Sequence, residues 1–395
     1  MDLLRFRWPC AAVATLAALL LYPAGAASAQ QNPSVSVSGF VSATIFTQDR
    51  NFEPGNGQSA QYLPDADLDE PRWWHGGDAR NTRLLLNMNG GQVLGDWNVS
   101  GLIEADFFGG FLGEGGFVPE QPLPRLRLAY AQIERGGTVV RLGQDWAPMY
   151  DYVPESVTHI SFPLAYGSAG LIGWRFPGIF FEQSFPAGGD VEGTVHLAAM
   201  RGAWDDAADP ELASAGHDHL VPQLQARLSF ASGAGAPLTW SAFAAGHFDQ
   251  KRFPDAAAVD STLEGWAATA GFRVEPGPAT VIGTGYVGRA VGQHAAHIFQ
   301  FGDLRGGGGF LQIGLDLGGP LGLWVLGGHD AVRRQDAAPG DRLANTKFAA
   351  EARLASGPLQ LGLSWMHVRT TFLQAGDTDV TRLGNQAALS TRLNF

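Results

Sequence analysis

The sequence is poor in three features on which many proteins depend: cysteine, charge and long apolar runs. Its single cysteine, Cys10, excludes disulfide bonds within the chain and metal sites built from several thiolates. Charged residues make up only 16% of the 395 residues, and 38 acidic residues outnumber 26 basic ones, which argues against a nucleic-acid partner. No apolar run after residue 29 is long enough to cross a membrane as a helix. Residence in a membrane would therefore require a closed β-barrel.

The N-terminus has the pattern of a secretory signal peptide. Arg5 and Arg7 precede an apolar stretch at 11–22, and small residues at 27–29 provide a cleavage site. The apolar stretch is shorter than the roughly 20 residues that a spanning helix needs, so a cleaved signal is favoured over an anchor.

Cleavage after Ala29 divides the chain into a signal peptide, residues 1–29, and one predicted domain, residues 30–395. The removed part includes Cys10 and carries a charge of +1, so the net charge of the remainder is −13 where the whole chain has −12. Its 53 glycines and 11% aromatic residues are typical of a β-rich protein.

Segments in which apolar and polar residues alternate recur along the whole domain, and we count sixteen. In the segment 345–355, for example, Phe348 and Leu354 alternate with Lys347 and Arg353. Such a strand suits a barrel with a polar lumen and an apolar exterior. The predicted strands are residues 35–48, 79–89, 96–108, 124–134, 138–147, 171–185, 192–203, 222–231, 238–248, 262–274, 279–291, 309–317, 321–333, 345–355, 358–371 and 385–395.

The connections between these strands alternate strictly between short, mostly Gly- or Pro-rich turns and long segments. The long segments are residues 49–78, 109–123, 148–170, 204–221, 249–261, 292–308, 334–344 and 372–384. This alternation predicts an all-β fold, a 16-stranded antiparallel transmembrane β-barrel with long external loops and short periplasmic turns. Aromatic residues near the strand ends, among them Trp146, Trp174 and Trp324, are expected in the girdles at the two membrane interfaces.

The last strand, 385–395, predicts how the barrel closes. Leu389, Leu393 and Phe395 lie on one face and Arg392 on the other, and the chain ends on an aromatic residue. We expect this strand to pair with the first one, its apolar face to contact lipid or a neighbouring subunit, and Phe395 to contribute to barrel closure.

Together these features resemble the trimeric porins of Gram-negative outer membranes, and the segments 81–87, 126–132 and 140–146 are similar to early strands of the DcaP-like porins. The resemblance implies a homotrimer in the outer membrane of a Gram-negative bacterium, in contact with lipid and lipopolysaccharide. Each subunit would be a water-filled channel for passive diffusion of small hydrophilic solutes. The third external loop, about residues 147–170, would fold inward as a constriction. We expect neither a cofactor nor an enzyme activity.

Strand parity places four arginines of neighbouring strands inside the barrel, where they would form a basic wall: Arg83, Arg125, Arg127 and Arg141. Three carboxylates of the third loop and its approach could face that wall: Asp145, Asp151 and Glu155. Acid opposite base would set a transverse field across the constriction, which orients polar solutes. In the alternative interpretation the arginines simply pair with Glu104 and Asp106 of the third strand.

The predicted inward faces carry eight basic residues and four acidic ones. They are Arg83, Arg125, Arg127, Arg141, Arg227, Lys347, Arg353 and Arg392 against Glu104, Asp106, Asp145 and Glu351. A net basic wall favours anions or carboxylate-bearing solutes, since charged rings are a physical means of selectivity in pores.

Two other functions stay open. A strand count that is wrong by two would allow an 18-stranded, substrate-specific carboxylate channel. An outer-membrane hydrolase on a smaller barrel would need a nucleophile or an acid dyad beside a histidine at the outer rim, and no Gly-x-Ser-x-Gly motif is present.

Three further motifs have simpler explanations than the sites they resemble. The glycines at 283–288 match a dinucleotide fingerprint, but no helix is predicted to open there. The acidic run at 65–70 lacks the glycine of a calcium loop and is better explained as a solvated loop, with bridging of divalent cations to lipid head groups as the alternative. The histidine pairs 217/219 and 294/297 lack a third ligand in register, so no metal site is predicted.

Overall fold

The structure is a computed structural model that describes residues 33–65, 72–109, 122–202, 221–252 and 262–395. The predicted signal peptide at 1–29 lies outside the described residues.

Sixteen antiparallel strands form one closed barrel in which each strand pairs with its neighbours along the chain. The last strand pairs with the first over nine residue pairs, from Phe40–Asn394 to Gln48–Gln386. Closure leaves no strand edge unpaired, as a β structure in lipid requires. The strands are β1 (Ser34–Gln48), β2 (two segments, Trp74–Asp78 and Arg83–Val93), β3 (Trp97–Gly109), β4 (Leu123–Arg135), β5 (Thr138–Trp146), β6 (Arg175–Gly188), β7 (Val191–Met200), β8 (Gln223–Ser232), β9 (Thr239–Arg252), β10 (Thr262–Glu275), β11 (Ala279–Arg289), β12 (Arg305–Asp316), β13 (Leu321–Val332), β14 (Arg342–Ser356), β15 (Leu359–Gln374) and β16 (Thr378–Asn394).

The predicted fold class and strand number are confirmed, and the 18-stranded alternative is wrong in its strand count. The second strand differs from its predicted span, 79–89, because a turn divides it into two segments that both pair with β1. At this turn the Asp78 carboxylate accepts hydrogen bonds from the backbone N–H of Arg80, at 2.8 Å, and from the Arg80 guanidinium, at 2.6 Å.

The eighth external connection is a three-residue turn between Gln374 and Thr378, so the prediction of a long loop at 372–384 is wrong. Gly376 and Asp377 have φ angles of +81° and +61°, which reverse the chain tightly. Polar residues occupy both faces of the surrounding hairpin, which is why its sequence lacks the alternation of a strand between lumen and lipid.

Apolar side chains cover the outside of the barrel. Val325 of β13 and Leu363 of β15 are 53% and 59% exposed, and Leu389 and Phe395 of the closing strand are 45% and 57% exposed. Between them on β16, Ser390 is completely buried and points to the interior. An apolar band of this kind is favourable in lipid and unfavourable in water.

Of the described residues, none form a helix that is long and apolar enough to cross a membrane.

Three loops pack inside the barrel. The first includes a small hairpin, Glu53–Pro54 with Ala60–Tyr62, the sixth a short helix, α1 (Gly292–Ala295), and the third is described below. Buried side chains of these loops form one apolar cluster with inward-facing residues of the barrel wall. Its members include Phe52, Leu63, Phe162, Leu164, Tyr166, Leu171, Ile282, Phe310, Leu326, Met366 and Val368.

Three tryptophans predicted in the membrane girdles lie against these interior loops instead. Trp174 and Trp324 pack on the apolar cluster, and Trp146 stacks on Tyr150 with 4.1 Å between ring centroids. The girdle prediction is therefore wrong for these three side chains, because the inward loops provide an apolar environment that strand parity alone does not reveal.

Candidate functional site: the constriction inside the barrel

The third loop, residues 147–174, crosses the interior of the barrel. A hydrogen bond of 2.9 Å between the Ala147 N–H and the Trp174 carbonyl joins its two ends. Between these ends the loop donates backbone hydrogen bonds to side chains on widely separated strands: Met149 to Gln225 of β8 at 2.9 Å, Glu155 to Gln312 of β12 at 2.8 Å, Val157 to Glu351 of β14 at 2.9 Å, and Ser161 to Asn81 beside β2 at 3.0 Å. The loop therefore narrows the lumen and is held from several sides.

Glycines allow the loop to lie directly on the wall formed by β12 and β13. Gly170 has a φ of +99°, and a Cβ atom there would lie 2.2 Å from the carbonyl carbon of Gly309. A Cβ atom on Gly328 would lie 2.4 Å from the Ala169 oxygen. Close approach of two backbones explains the glycines on these strands without a ligand.

Three of the four arginines of the predicted basic wall pair with Glu104 and Asp106 of β3. Arg125 binds Asp106 through two hydrogen bonds of 2.6 and 2.9 Å, and Arg127 binds Asp106 at 2.8 Å and also contacts Glu104. Arg83 lies 3.7 Å from Glu104. These contacts match the alternative interpretation of the wall arginines, in which their partners come from the third strand.

The fourth arginine, Arg141, belongs to a separate cluster. Its guanidinium contacts Glu182 of β6 at 2.5 Å and Asp145 at 3.3 Å. Asp145 is also held by the backbone N–H of Trp146 at 2.8 Å.

The two acidic residues of the third loop face other strands. Asp151 pairs with Arg227 of β8 at 2.9 Å. Glu155 pairs with Arg273 of β10 at 2.7 Å and with Arg353 of β14 at 3.4 Å. The structure thus brings these carboxylates together with arginines, but with a different set from the four that strand parity selected.

Three charged interior residues are absent from the prediction. Glu182 lies on β6 between two aromatic residues and two polar ones, and Arg273 lies on β10 among small residues, so neither segment alternates clearly. Arg175 begins β6, where the predicted strand began at 171. The inward parity of β10 from Ala267 and Thr269 to Arg273 was the available signal for one of the three.

Below the third loop, towards the periplasmic turns, lies a cavity of about 590 Å³. Glu155, Arg353 and Arg392 contribute charged groups to its lining. Arg392 donates a hydrogen bond of 2.8 Å to Asn394 and lies 4.2 Å above the ring of Phe40. In the part of the chain that the structure describes, Arg392 has no carboxylate partner, which leaves its charge available to an anionic solute.

The remaining sequence motifs have the following positions. The glycines at 283–288 lie within strand β11, and His294 in the sixth loop pairs with Asp249 at 3.2 Å. No group of three or more potential metal ligands occurs within the described ranges. His217, His219 and residues 66–70 of the acidic run lie outside the described residues.

The sequence matches no family model and no curated protein. The structure is similar to three outer-membrane proteins of known structure. For the outer membrane channel DcaP of Acinetobacter baumannii the TM-score is 0.69 at 16% identity, covering 92% of this chain and 97% of that one. For an anion-selective porin from Comamonas acidovorans the values are 0.57, 14%, 92% and 100%, and for OmpT, an outer membrane protein of Vibrio cholerae, 0.54, 11%, 92% and 98%.

The fold is therefore that of the outer-membrane porins. Of the three structures just named, the DcaP channel has the highest TM-score. This is in line with the local resemblance in the early strands, and at these identities the likeness defines the fold alone.

Proposed function

We propose that this protein is a porin of the Gram-negative outer membrane, a water-filled channel for passive diffusion of small hydrophilic solutes. The observation that carries this proposal is a closed barrel with an apolar exterior and an inward loop that leaves charged groups partly exposed to the lumen. Arg273 and Glu155, for example, are 34% and 35% exposed, so water reaches this part of the constriction. A barrel without a continuous polar path would bury such pairs.

The channel functions as a homotrimer in this proposal, surrounded by outer-membrane lipid and lipopolysaccharide. Support comes from the exposed apolar face of the closing strand and from the similarity in fold to OmpT of Vibrio cholerae, one of whose structures is described as a trimer form, with a TM-score of 0.52.

The channel has a mild preference for anions or carboxylate-bearing solutes in this proposal. Most arginines along the lumen are balanced by carboxylates, so the preference rests on a small surplus. Arg392 supplies part of that surplus near the periplasmic opening, because a fixed positive charge attracts anions more strongly inside a narrow, low-dielectric passage than in bulk water.

Single-channel recording in a planar bilayer tests the proposal. We expect three equal conductance steps per insertion event and a reversal potential of anionic sign in a potassium chloride gradient. Arg392→Gln should move the reversal potential towards zero. Arg334→Gln is the matched control, because Arg334 pairs with Asp377 and Asp379 at the external rim, away from the lumen.

Two results would contradict parts of the proposal separately. Absence of conductance from folded protein would remove the porin function and favour the hydrolase alternative, which turnover of phospholipid or peptide would then support. Conductance with cation selectivity would remove only the solute preference.

A further inference from the structure

Between the third loop and the wall of β2 to β6, buried positive charge exceeds buried negative charge. Four guanidiniums share two carboxylates: Arg83, Arg125, Arg127 and Arg175 against Glu104 and Asp106. Because an uncompensated charge in a protein interior is costly, an excess of this kind requires a counter-charge.

Arg175 is the extreme case. It is 4% exposed, and its Nε and Nη1 atoms are buried without a hydrogen-bond partner among the described residues. Its guanidinium carbon lies 4.6 Å from the ring centroid of Trp146 and 4.3 Å from that of Trp174. These aromatic faces offset part of the charge and leave the N–H donors free to bind an acceptor.

Other unpaired donors lie in the same region. Tyr166, 1% exposed, stacks on Trp174 at 5.3 Å, and its hydroxyl has no partner within the described ranges. The Nε atom of Arg83 is likewise buried without a hydrogen bond to any described residue. Each such donor costs about 1–3 kcal/mol if it stays unsatisfied, so a shared acceptor would be strongly favoured.

Tyr150 shows that the guanidiniums converge. Burial raises the pKa of Tyr150 to about 12, and the nearby positive charges of Arg127, Arg175 and Arg83 oppose this rise. Three guanidiniums from β2, β4 and β6 therefore act on one hydroxyl of the third loop.

We propose that a small monovalent anion the size of chloride is bound between the third loop and the barrel wall, held by Arg175, Arg83 and the Tyr166 hydroxyl. A water molecule could satisfy the donors but would not neutralise the charge. A solute in transit would have to displace the loop, because Arg127 and Arg175 are only 3% and 4% exposed. The anion is thus a resident part of the constriction and is independent of the solute preference proposed above.

Crystals of the unmodified protein transferred from sodium chloride to sodium bromide test the site directly. We expect a peak in the bromine anomalous difference map among Arg175, Arg83 and Tyr166, and its loss or weakening in Tyr166→Phe, which keeps the ring and removes the hydroxyl. A map with peaks only at the surface or in the open lumen would overturn the proposal.

Thermal unfolding of the detergent-solubilised protein provides a second measurement. At equal ionic strength, chloride should raise the unfolding midpoint over gluconate, which is too large for the site, by about 3 °C, and Arg175→Met should remove the difference. Arg135→Met is the control, since Arg135 pairs with Asp96 at an exposed turn and should keep the chloride effect. Equal midpoints in the two salts for the unmodified protein would count against a bound anion.

Discussion

Glu351 of β14 holds the tip of the third loop, so Glu351→Gln should loosen the constriction. The carboxylate is 3% exposed and accepts hydrogen bonds from the Ser156 hydroxyl at 2.5 Å, the Val157 N–H at 2.9 Å and the Arg353 guanidinium at 2.6 Å. Glutamine keeps the shape but removes the charge and presents an N–H group to these donors. A hydrogen bond to a charged group contributes about 1.5–3 kcal/mol, and we expect a loss of about 3 kcal/mol in loop docking.

A loss of this size corresponds to a roughly 100-fold increase in the undocked population of the loop. Single-channel recording should show this as frequent brief transitions to a second conductance level, with a mean conductance close to that of the unmodified channel. Asp96→Asn serves as the matched control: its partner Arg135 and Asp96 itself are 52% and 69% exposed, and such pairs contribute little. If Glu351→Gln has the current noise of the unmodified channel, the loop is held by other contacts and this reasoning is wrong.

Three other perturbations probe the same architecture. Deleting Phe395 removes two backbone hydrogen bonds of 3.1 Å with Gly39 and should lower the yield of folded, heat-modifiable barrel without altering the conductance of molecules that do fold; a normal yield would argue against its role in closure. Gly170→Ala combines a strained φ of +99° with a backbone overlap, at a cost above about 2 kcal/mol, and should displace the loop and raise single-channel conductance, whereas unchanged conductance would show that the wall can yield. Burial lowers the pKa of His159 to about 3 and that of His297 to about 4, so stability that is present above pH 6.5 is lost as the pH falls below it, by about 2 kcal/mol per loop histidine at pH 5; acid should therefore increase channel noise, and replacing both by glutamine should abolish the effect.

The barrel itself could be predicted because lipid and lumen impose a period of two on each strand that separates them. The closing strand is an example: Leu389 and Phe395 lie outside and Arg392 inside, as their parity required. Where a strand extends beyond the membrane this constraint ends, and the hairpin around Gly376 has no alternation by which it could be recognised.

The constriction was less accessible to prediction from the sequence. Parity assigned Arg125 and Arg127 to the lumen, but a choice between partners on β3 and partners on the third loop depends on where the loop lies in space. That position is set by long-range contacts, such as the approach of Gly170 to Gly309 and the bond from Val157 to Glu351. No local period encodes such contacts, and for the same reason Arg175 was not identified.

The attachment of the third loop to β8, β12, β14 and the region beside β2 has a mechanical consequence. A barrel without internal connections can flatten into an ellipse when the lateral pressure of the bilayer changes, since hydrogen bonds between strands bend easily at their hinges. Here any such flattening would stretch hydrogen bonds on opposite walls at once, at Gln225 and at Glu351. The loop therefore acts as an internal brace, and the width of the passage should stay nearly constant between membranes of different thickness and tension.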